Sequence, residues 1–344
     1  MIYIHGNNIY LKSFSLNEYH SFYLQYEPDP LMDCKEYIYD KEDVDARFEK
    51  MKENRAWYPR VGIFLKDNSV IGELSFKRID YKKSRCDLGI VLVNDKYKGQ
   101  GYGSEAVDLA INFAFRVLKL NNIYGDTTSV NIRMKSIFSK YGFQRIDNET
   151  EESDRIYYVL HKDERERHMI KNIISRDDFV IDTDRLRMSP IEKSYAEILL
   201  REFDSGITKY QYPDPYKDIE EVYKFIDSAE EERLQGRNLI LTIENRDNEF
   251  IGNIEIYGLH TSSPEIGLWI KRDKQHQGYG MEAIKAVMDF CKKNMTINYF
   301  IYEADKRNPD SIHLVDKLGG IKKEFNEYKT DSGKVLQLDL YNIY

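Results

Sequence analysis

Short runs of alternating apolar and polar residues are interleaved along this chain with stretches whose apolar positions recur every three or four residues. Ile9 to Lys12 reads as a short strand, and Val44 to Glu53 as an amphipathic helix. Val61-Gly62-Ile63-Phe64-Leu65, the polar turn Lys66-Asp67-Asn68-Ser69 and Val70 to Phe76 predict a hairpin. Its mechanism is strand-forming residues flanking an Asp-Asn turn. Leu88 to Val93 is a fourth strand, which leads through glycines into a long helix, Gly103 to Leu118. A strand, a short helix and two further strands follow, the last being Ile156 to Leu160.

The same order then starts again. Thr183-Asp184-Arg185-Leu186-Arg187-Met188 predicts a first strand, and Leu239 to Glu244, a turn at Asn245-Arg246-Asp247-Asn248 and Phe250 to Tyr257 repeat the hairpin. Glu265 to Ile270 repeats the fourth strand, and Gly280 to Lys292 the long helix. Three landmarks share one register: Gly278 follows Gly101, Asn308 follows Asn131 and Gly319 follows Gly142, each by 177 residues. That period is too long for a solenoid and marks a duplicated domain. The expected domains are 1–165 and 175–344, the second opening near Asp178. The charge run His161 to His168 is a solvated linker or helix face between them. Each copy is α+β, with one mixed, mostly antiparallel central sheet flanked by helices.

Composition narrows the function. At roughly 150 residues per domain, 344 residues allow about two. A net charge of -8 argues against nucleic acid, which calls for a basic patch. It suits a cationic partner better. The three cysteines, Cys34, Cys86 and Cys291, are far apart and odd in number, which fits a reducing compartment without a disulfide framework. No apolar run reaches the ~18 residues of a membrane span, and the first residues carry no secretory signal. A cytoplasmic protein, monomeric or homodimeric, is the expectation, with neither membrane nor metal involved.

In both copies an apolar strand runs into a glycine turn that opens a helix: Lys98-Gly99-Gln100-Gly101-Tyr102-Gly103-Ser104 and Gln275-His276-Gln277-Gly278-Tyr279-Gly280-Met281. A helix start offers unpaired amides and a partial positive charge to an anion. Tight strand-to-helix turning alone explains the glycines equally well. The spacing excludes the G-x-G-x-x-G dinucleotide fingerprint, and no Gly-Lys-Ser/Thr ends a P-loop.

These motifs resemble the GNAT superfamily of acetyl-CoA-dependent N-acetyltransferases. Its hallmark, Gln/Arg-x-x-Gly-x-Gly/Ala, stands five residues after the last apolar residue of the fourth strand. Gln275 to Gly280 after Ile270 matches fully, whereas Lys98 replaces the usual first residue after Val93. Asn308-Pro309-Asp310-Ser311 with Lys317-Leu318-Gly319-Gly320, and Asn131-Ile132-Arg133-Met134 with Lys140-Tyr141-Gly142-Phe143, resemble the family's second element. The first-strand motif and Glu265 to Ile270 resemble the ribosomal-protein and spermidine branch.

The resemblance implies acetyl-CoA as acetyl donor, held in a splay between the fourth and fifth strands. Contacts would come from Val91, Val93, Leu268 and Ile270 on the fourth strands, the two glycine loops, Asn131, Asn308 and Ser311. Lys98 still offers donors and a charge to pyrophosphate. Gly89 precedes Gly101 by 12 residues and Gly267 precedes Gly278 by 11, a slip that fits a β-bulge in the fourth strand.

Acetyl transfer needs a neutral amine. Deprotonation at pH 7 costs roughly 4–5 kcal/mol for a lysine-like amine and about 1 for an α-amine. Asp126 and Glu303, five residues before the landmark asparagines, match the position of a family general base; Glu265 and its rough counterpart Asp87 are second candidates. Many relatives carry a tyrosine four residues before the final glycine to protonate the leaving thiolate, where this chain has Phe138 and Val315. Tyr141, Tyr302 or Ser311 then serves, or the thiolate leaves unassisted, or one copy has lost catalysis. His276 is expected to point outward, and His313 to lie at the surface or the cofactor channel. Tyr210-Gln211-Tyr212-Pro213-Asp214-Pro215-Tyr216, with its counterpart Tyr26-Glu27-Pro28-Asp29-Pro30, either cages a cationic amine or packs a loop. The expected function is acetyl transfer to a primary amine of a peptide, polyamine or small molecule in a ternary complex. The alternative is a CoA-binding sensor or scaffold with one or both copies degenerate.

Overall fold

The computed structural model describes residues 2–32, 36–54, 59–146, 154–330 and 332–344; Cys34 lies outside them. The chain divides into two compact units, Met1–Arg165 and Glu166–Tyr344.

Unit 1 runs β1 (Tyr3–His5), β2 (Ile9–Lys12), α1 (Leu16–Leu24), α2 (Lys41–Glu53), β3 (Arg60–Leu65), β4 (Val70–Asp80) and β5 (Arg85–Leu92). It continues with α3 (Tyr102–Asn112), β6 (Asn122–Thr128), α4 (Ile132–Tyr141), β7 (Gln144–Ile146) and β8 (Arg155–His161). The sheet order is β1-β2-β3-β4-β5-β6-β8-β7, and β5/β6 is its parallel pair. Short polar caps start the helices: Ser15 and Glu18 form a capping box on α1, and Asp40 caps α2. One sheet face buries Ile63, Ile71 and Leu74 against Ala106, Val107, Ala110 and Ile111 of α3. The other is aromatic, with Tyr19, Phe22 and Tyr23 of α1 and Phe48 of α2 packed around Phe14 and Phe64.

The charge run after β8 is helical: α5 (Lys162–Ile174) begins within it. Unit 2 continues with β9 (Ile181–Asp182), β10 (Leu186–Pro190), α6 (Ala196–Glu202), α7 (Ile219–Gln235), β11 (Leu239–Asn245) and β12 (Phe250–Tyr257). Then come β13 (Glu265–Ile270), α8 (Tyr279–Asn294), β14 (Phe300–Asp305), α9 (Pro309–Lys317), β15 (Ile321–Lys329) and β16 (Val335–Ile343). Its sheet order is β15-β16-β14-β13-β12-β11-β10-β9, again with one parallel pair, β13/β14. The buried residues of α8, Ala283, Ile284, Val287, Met288 and Cys291, keep helical spacing and lie on the core.

Three expectations change. Thr183-Asp184-Arg185 is a turn, not the start of a strand, because Thr183 Oγ1 accepts from Leu186 N at 2.9 Å and closes it. The helix after the first glycine loop is α-helical only to Asn112; Phe113–Val117 is a π turn ended by Lys119 at φ 56°. The fourth strands contain no bulge where one was expected: Gly72 pairs with Leu92 and Gly252 with Ile270, in step through Gly89 and Gly267. The slip comes from one extra residue, Asn94, whose side chain caps the following 3-10 turn through Lys96 N. Bulges fall instead in both hairpins, where Ile71 and Ile251 have no opposite residue on β3 and β11. Among the described residues no helix is long and apolar enough to cross a membrane.

Candidate active site

The parallel strands part early. β5 and β6 pair only at Arg85–Asn122, Cys86–Ile123 and Asp87–Tyr124, and β13 and β14 only at Glu265–Ile301. Past these points the strands lose their shared ladder, so a gap opens toward each glycine loop.

At the loop, Gly101 (φ 86°) and Gly278 (φ 82°) stand at the helix starts without a side-chain cap. The first intrahelical bonds are donated by Glu105 N to Gly101 O and by Glu282 N to Gly278 O. The amides of Tyr102, Gly103 and Ser104, and of Tyr279, Gly280 and Met281, therefore have no helical acceptor. A Cβ at Gly99 or Gly101 would meet nothing within 4 Å, leaving the backbone open to a phosphate. Gln100 and Gln277 brace the loops, donating from Nε2 to Lys96 O (2.6 Å) and Asp273 O (3.0 Å). His276 takes φ 59° where unit 1 has Gly99 at 75°, and its exposed ring lies 3.8 Å from the Asp310 carboxylate.

The first loop residues do other work than expected. Lys98 Nζ sits 2.7 Å from Asp29 and 2.6 Å from Asp95, so its charge is already balanced by two carboxylates. Gln275 Nε2 donates to Ile270 O at 2.8 Å and ties loop to strand. Val93 is fully buried in the aromatic core, its amide bonded to Ile71 O, which removes it from a cofactor channel. With Asn94 counted, Leu92 is the counterpart of Ile270. Val91 packs against the same aromatic core, while Leu268 and Ile270 line the unit 2 cleft. Asn131 and Asn308 cap α4 and α9, accepting from Met134 N (3.0 Å) and Ser311 N (3.4 Å). Capping explains the Asn-x-x spacing by itself.

Unit 2 holds a cleft of about 1480 Å³ that runs from this loop past β13 and β14 to the segment 210–213. Six acidic residues line it. Glu232 pairs with Arg237, Asp305 with Arg307, and Asp310 lies 3.8 Å from His276, which leaves Glu255 on β12, Glu265 on β13 and Glu303 on β14 without a basic partner among the described residues. Glu265 stands opposite Tyr257 in the ladder, Glu255 opposite Gly267, and Glu303 two residues beyond the Glu265–Ile301 pair. Burial first, then the charges of Glu303 and Glu255, push the Glu265 carboxyl up to about 7. Burial also raises Glu303, and raises Glu255 against the 2.7 Å hydrogen bond it accepts from Tyr257. Charges that repel one another across a half-buried cleft favour a cation between them. Behind Glu303, the Tyr302 and Ser311 hydroxyls lie 3.1 Å apart and line the same cleft. His313 lines it as well.

The aromatic segment divides its roles. Tyr210 and Tyr212 line the cleft, and Tyr212 meets Tyr328 edge-on at 5.5 Å. Tyr216 packs against Phe203 and Phe225. Asp214 is held at about 2, chiefly by the Lys334 ammonium 2.9 Å away, so it pins the loop.

Unit 1 differs at each of these positions. Asp87 is ion-paired with Arg78, and Asp126 with Arg155. Register places Ser75 where unit 2 has Glu255, and Lys77 where it has Tyr257. Gly125 follows Tyr124 as Tyr302 follows Ile301, and Met134 donates its amide to the capping asparagine where Ser311 does. Tyr141 donates to Ser104 O at 2.7 Å, anchoring the loop.

Glu255, Tyr257 and Arg185 are the residues that sequence reasoning missed. Arg185 lies 4.7 Å over the Tyr279 ring, donates to Gln277 O at 3.1 Å and pairs with Glu282 at 2.6 Å, bracing the loop from outside. Its place in the stretch Thr183 to Met188 that opens the second copy was the available signal. Glu255 and Tyr257 showed none without strand register.

Two glycine-opened helices on two splayed sheets define an acyltransferase fold, written twice. The model of the acetyltransferase (GNAT) domain matches residues 8–144 and again 185–321, and the chain belongs to that family. It is an acetyltransferase. A curated Bacillus licheniformis protein, the uncharacterised N-acetyltransferase p20, is 22% identical over 166 residues, covering 47% of this chain and 93% of the relative. Among solved structures, a GNAT-family acetyltransferase from Bacillus anthracis shares 17% identity, covers 46% of this chain and 98% of its own, and gives a TM-score of 0.40. A spermidine N-acetyltransferase mutant from Vibrio cholerae shares 15%, covers 46% and 97%, and gives 0.41.

Proposed function

We propose that this chain moves the acetyl group of acetyl-CoA to a primary amine that carries a further positive charge. The observation that carries this reading is the set of Glu255, Glu265 and Glu303 around the unit 2 cleft, with no ion-pair partner for any of them among the described residues. A carboxyl titrating near neutrality accepts a proton from an ammonium more readily than an ordinary glutamate does.

The loop amides of residues 277–281 would hold the pyrophosphate, and Leu268 and Ile270 would border the pantetheine arm. Glu265, directly or through a water, takes the proton as the amine nitrogen attacks the thioester carbon. As the carbon–sulfur bond breaks, the Tyr302–Ser311 hydroxyl pair gives a proton to the sulfur and is reprotonated from solvent while Glu265 releases its proton to solvent, giving the amide and free CoA thiol. Glu303 and Glu255 keep the Glu265 carboxylate basic, and Tyr210 and Tyr212 offer ring faces to the distal cation. Ring-lined acidic clefts suit polyamines and basic peptide ends.

Thiol release from acetyl-CoA tests this against spermidine, a basic peptide with a free α-amine, and a neutral monoamine. Turnover with either cationic acceptor and a higher KM for the monoamine is expected. No turnover with any amine, together with tight CoA binding, would instead favour a sensor.

A further inference from the structure

We infer that acetyl transfer is confined to Glu166–Tyr344, and that Met1–Arg165 has kept the loop half of the site while losing the transfer half. This rests on the amine-acetylation reading above.

The loops are alike: both have glycine at the left-handed helix start, the same glutamine brace and the same unsatisfied amides. The transfer positions are not. Where unit 2 has Tyr302, unit 1 has Gly125, and the Phe138 ring comes within 2.7 Å of where a Gly125 Cβ would stand. Phe138 in turn takes the place of Val315, which is buried in unit 2. Large and small side chains have changed places between two corresponding pairs of core positions, so the space beside Gly125 is filled by Phe138 while the hydroxyl is gone. The second hydroxyl is gone too, because Met134 replaces Ser311 at the helix cap.

The charge at the corresponding positions changes as well. Glu255, Glu265 and Glu303, which have no arginine or lysine partner among the described residues, correspond to Ser75 and to two aspartates paired with Arg78 and Arg155. Lys77 adds an ammonium that lies over Gly89, 3.1 Å from where a Cβ would stand. A protonated amine approaching this strand meets the Lys77 ammonium and carboxylates already paired with arginine, Glu73 with Arg60, Asp87 with Arg78 and Asp126 with Arg155, and a carboxylate so paired is a poor acceptor for its proton. Loss of base, acid and electrostatic attraction together removes each contribution that unit 2 makes to transfer.

The full chain carrying Glu265→Gln and Glu303→Gln tests this, with the best cationic acceptor found for the unaltered protein. Transfer should fall at least 100-fold, while calorimetry with CoA gives the unaltered stoichiometry, reporting that both loops are folded. A residual rate near half, at unchanged KM, would overturn the inference by placing turnover in unit 1. Should the double variant fail to bind CoA, Tyr302→Phe with Ser311→Ala replaces it, under the same two readings. An unaltered chain that binds CoA but acetylates no amine would overturn the amine-acetylation reading itself, and this inference with it.

Discussion

The hydroxyls of Tyr302 and Ser311 stand 3.1 Å apart in the cleft of unit 2, on a strand and on the first turn of the helix that follows it. Tyr302 is buried, and burial raises its phenol, so at neutral pH it is a proton donor. Tyr302→Phe should lower kcat about 100-fold, within the range for one lost acid–base group, with KM for acetyl-CoA little changed. An acetyl thioester of a more acidic thiol should recover part of the loss, because its leaving group needs no proton. Equal losses with both thioesters would reduce Tyr302 to a packing role.

As the proposed base, Glu265 should set the acid side of the pH profile. Its carboxyl must be ionised to accept a proton, so kcat/KM should rise with pH through about 7. Glu265→Gln should remove that limb and lower the plateau by roughly 100-fold or more. A variant that keeps the limb would move the role to Glu303.

The repeat was legible because glycines at helix starts and asparagines at caps are fixed by backbone geometry, and these positions keep the 177-residue offset. The carboxylate cluster was only partly legible, because the offset drifts upstream. Gly89 and Gly267 correspond at 178, and Gly72 and Gly252 at 180, since unit 1 carries Asn94 and a longer excursion between the paired residues Lys77 and Asp87, where β4 is bulged, than unit 2 has between Tyr257 and Glu265. A fixed offset therefore does not align Ser75 with Glu255 or Lys77 with Tyr257, and the inferred loss of transfer chemistry in unit 1 rests on those pairs. The Arg78 and Arg155 partners were invisible for a related reason. Ladder register, not sequence distance, brings them to Asp87 and Asp126. Lys98 was misread because Asp29, 69 residues away, reaches its ammonium.

Stability should carry the same signature with the opposite sign. Glu265 titrates higher when folded than when unfolded, so the folded chain binds the extra proton. Its favourable contribution is full below the unfolded value of about 4.3 and is lost as pH rises through about 7. Glu265→Gln should therefore melt higher than the unaltered chain at about pH 8, by roughly 2–4 °C for each kcal/mol relieved. The difference should shrink toward about pH 5. Scanning calorimetry at both pH values checks this, and a variant less stable at the higher pH would contradict it.

Gly252 should be the least replaceable residue beside the cleft. It follows the bulged Ile251, and a Cβ there would lie 2.2 Å from Trp269 O and 3.0 Å from Ile270 Cα, backbone atoms of β13 that cannot rotate away. Gly252→Ala must push β13 outward, at a cost of about 1–3 kcal/mol typical of overpacking. Since β13 carries Glu265, Leu268 and Ile270, the same shift should lower turnover as well as the midpoint of urea unfolding. Gly333→Ala is the control for introducing alanine at a glycine: at φ 88° it is strained, yet no atom lies within 4 Å of its Cβ, so turnover should hold even where stability slips. Equal losses of turnover at the two positions would mean that backbone strain, and not the seating of β13, governs the site.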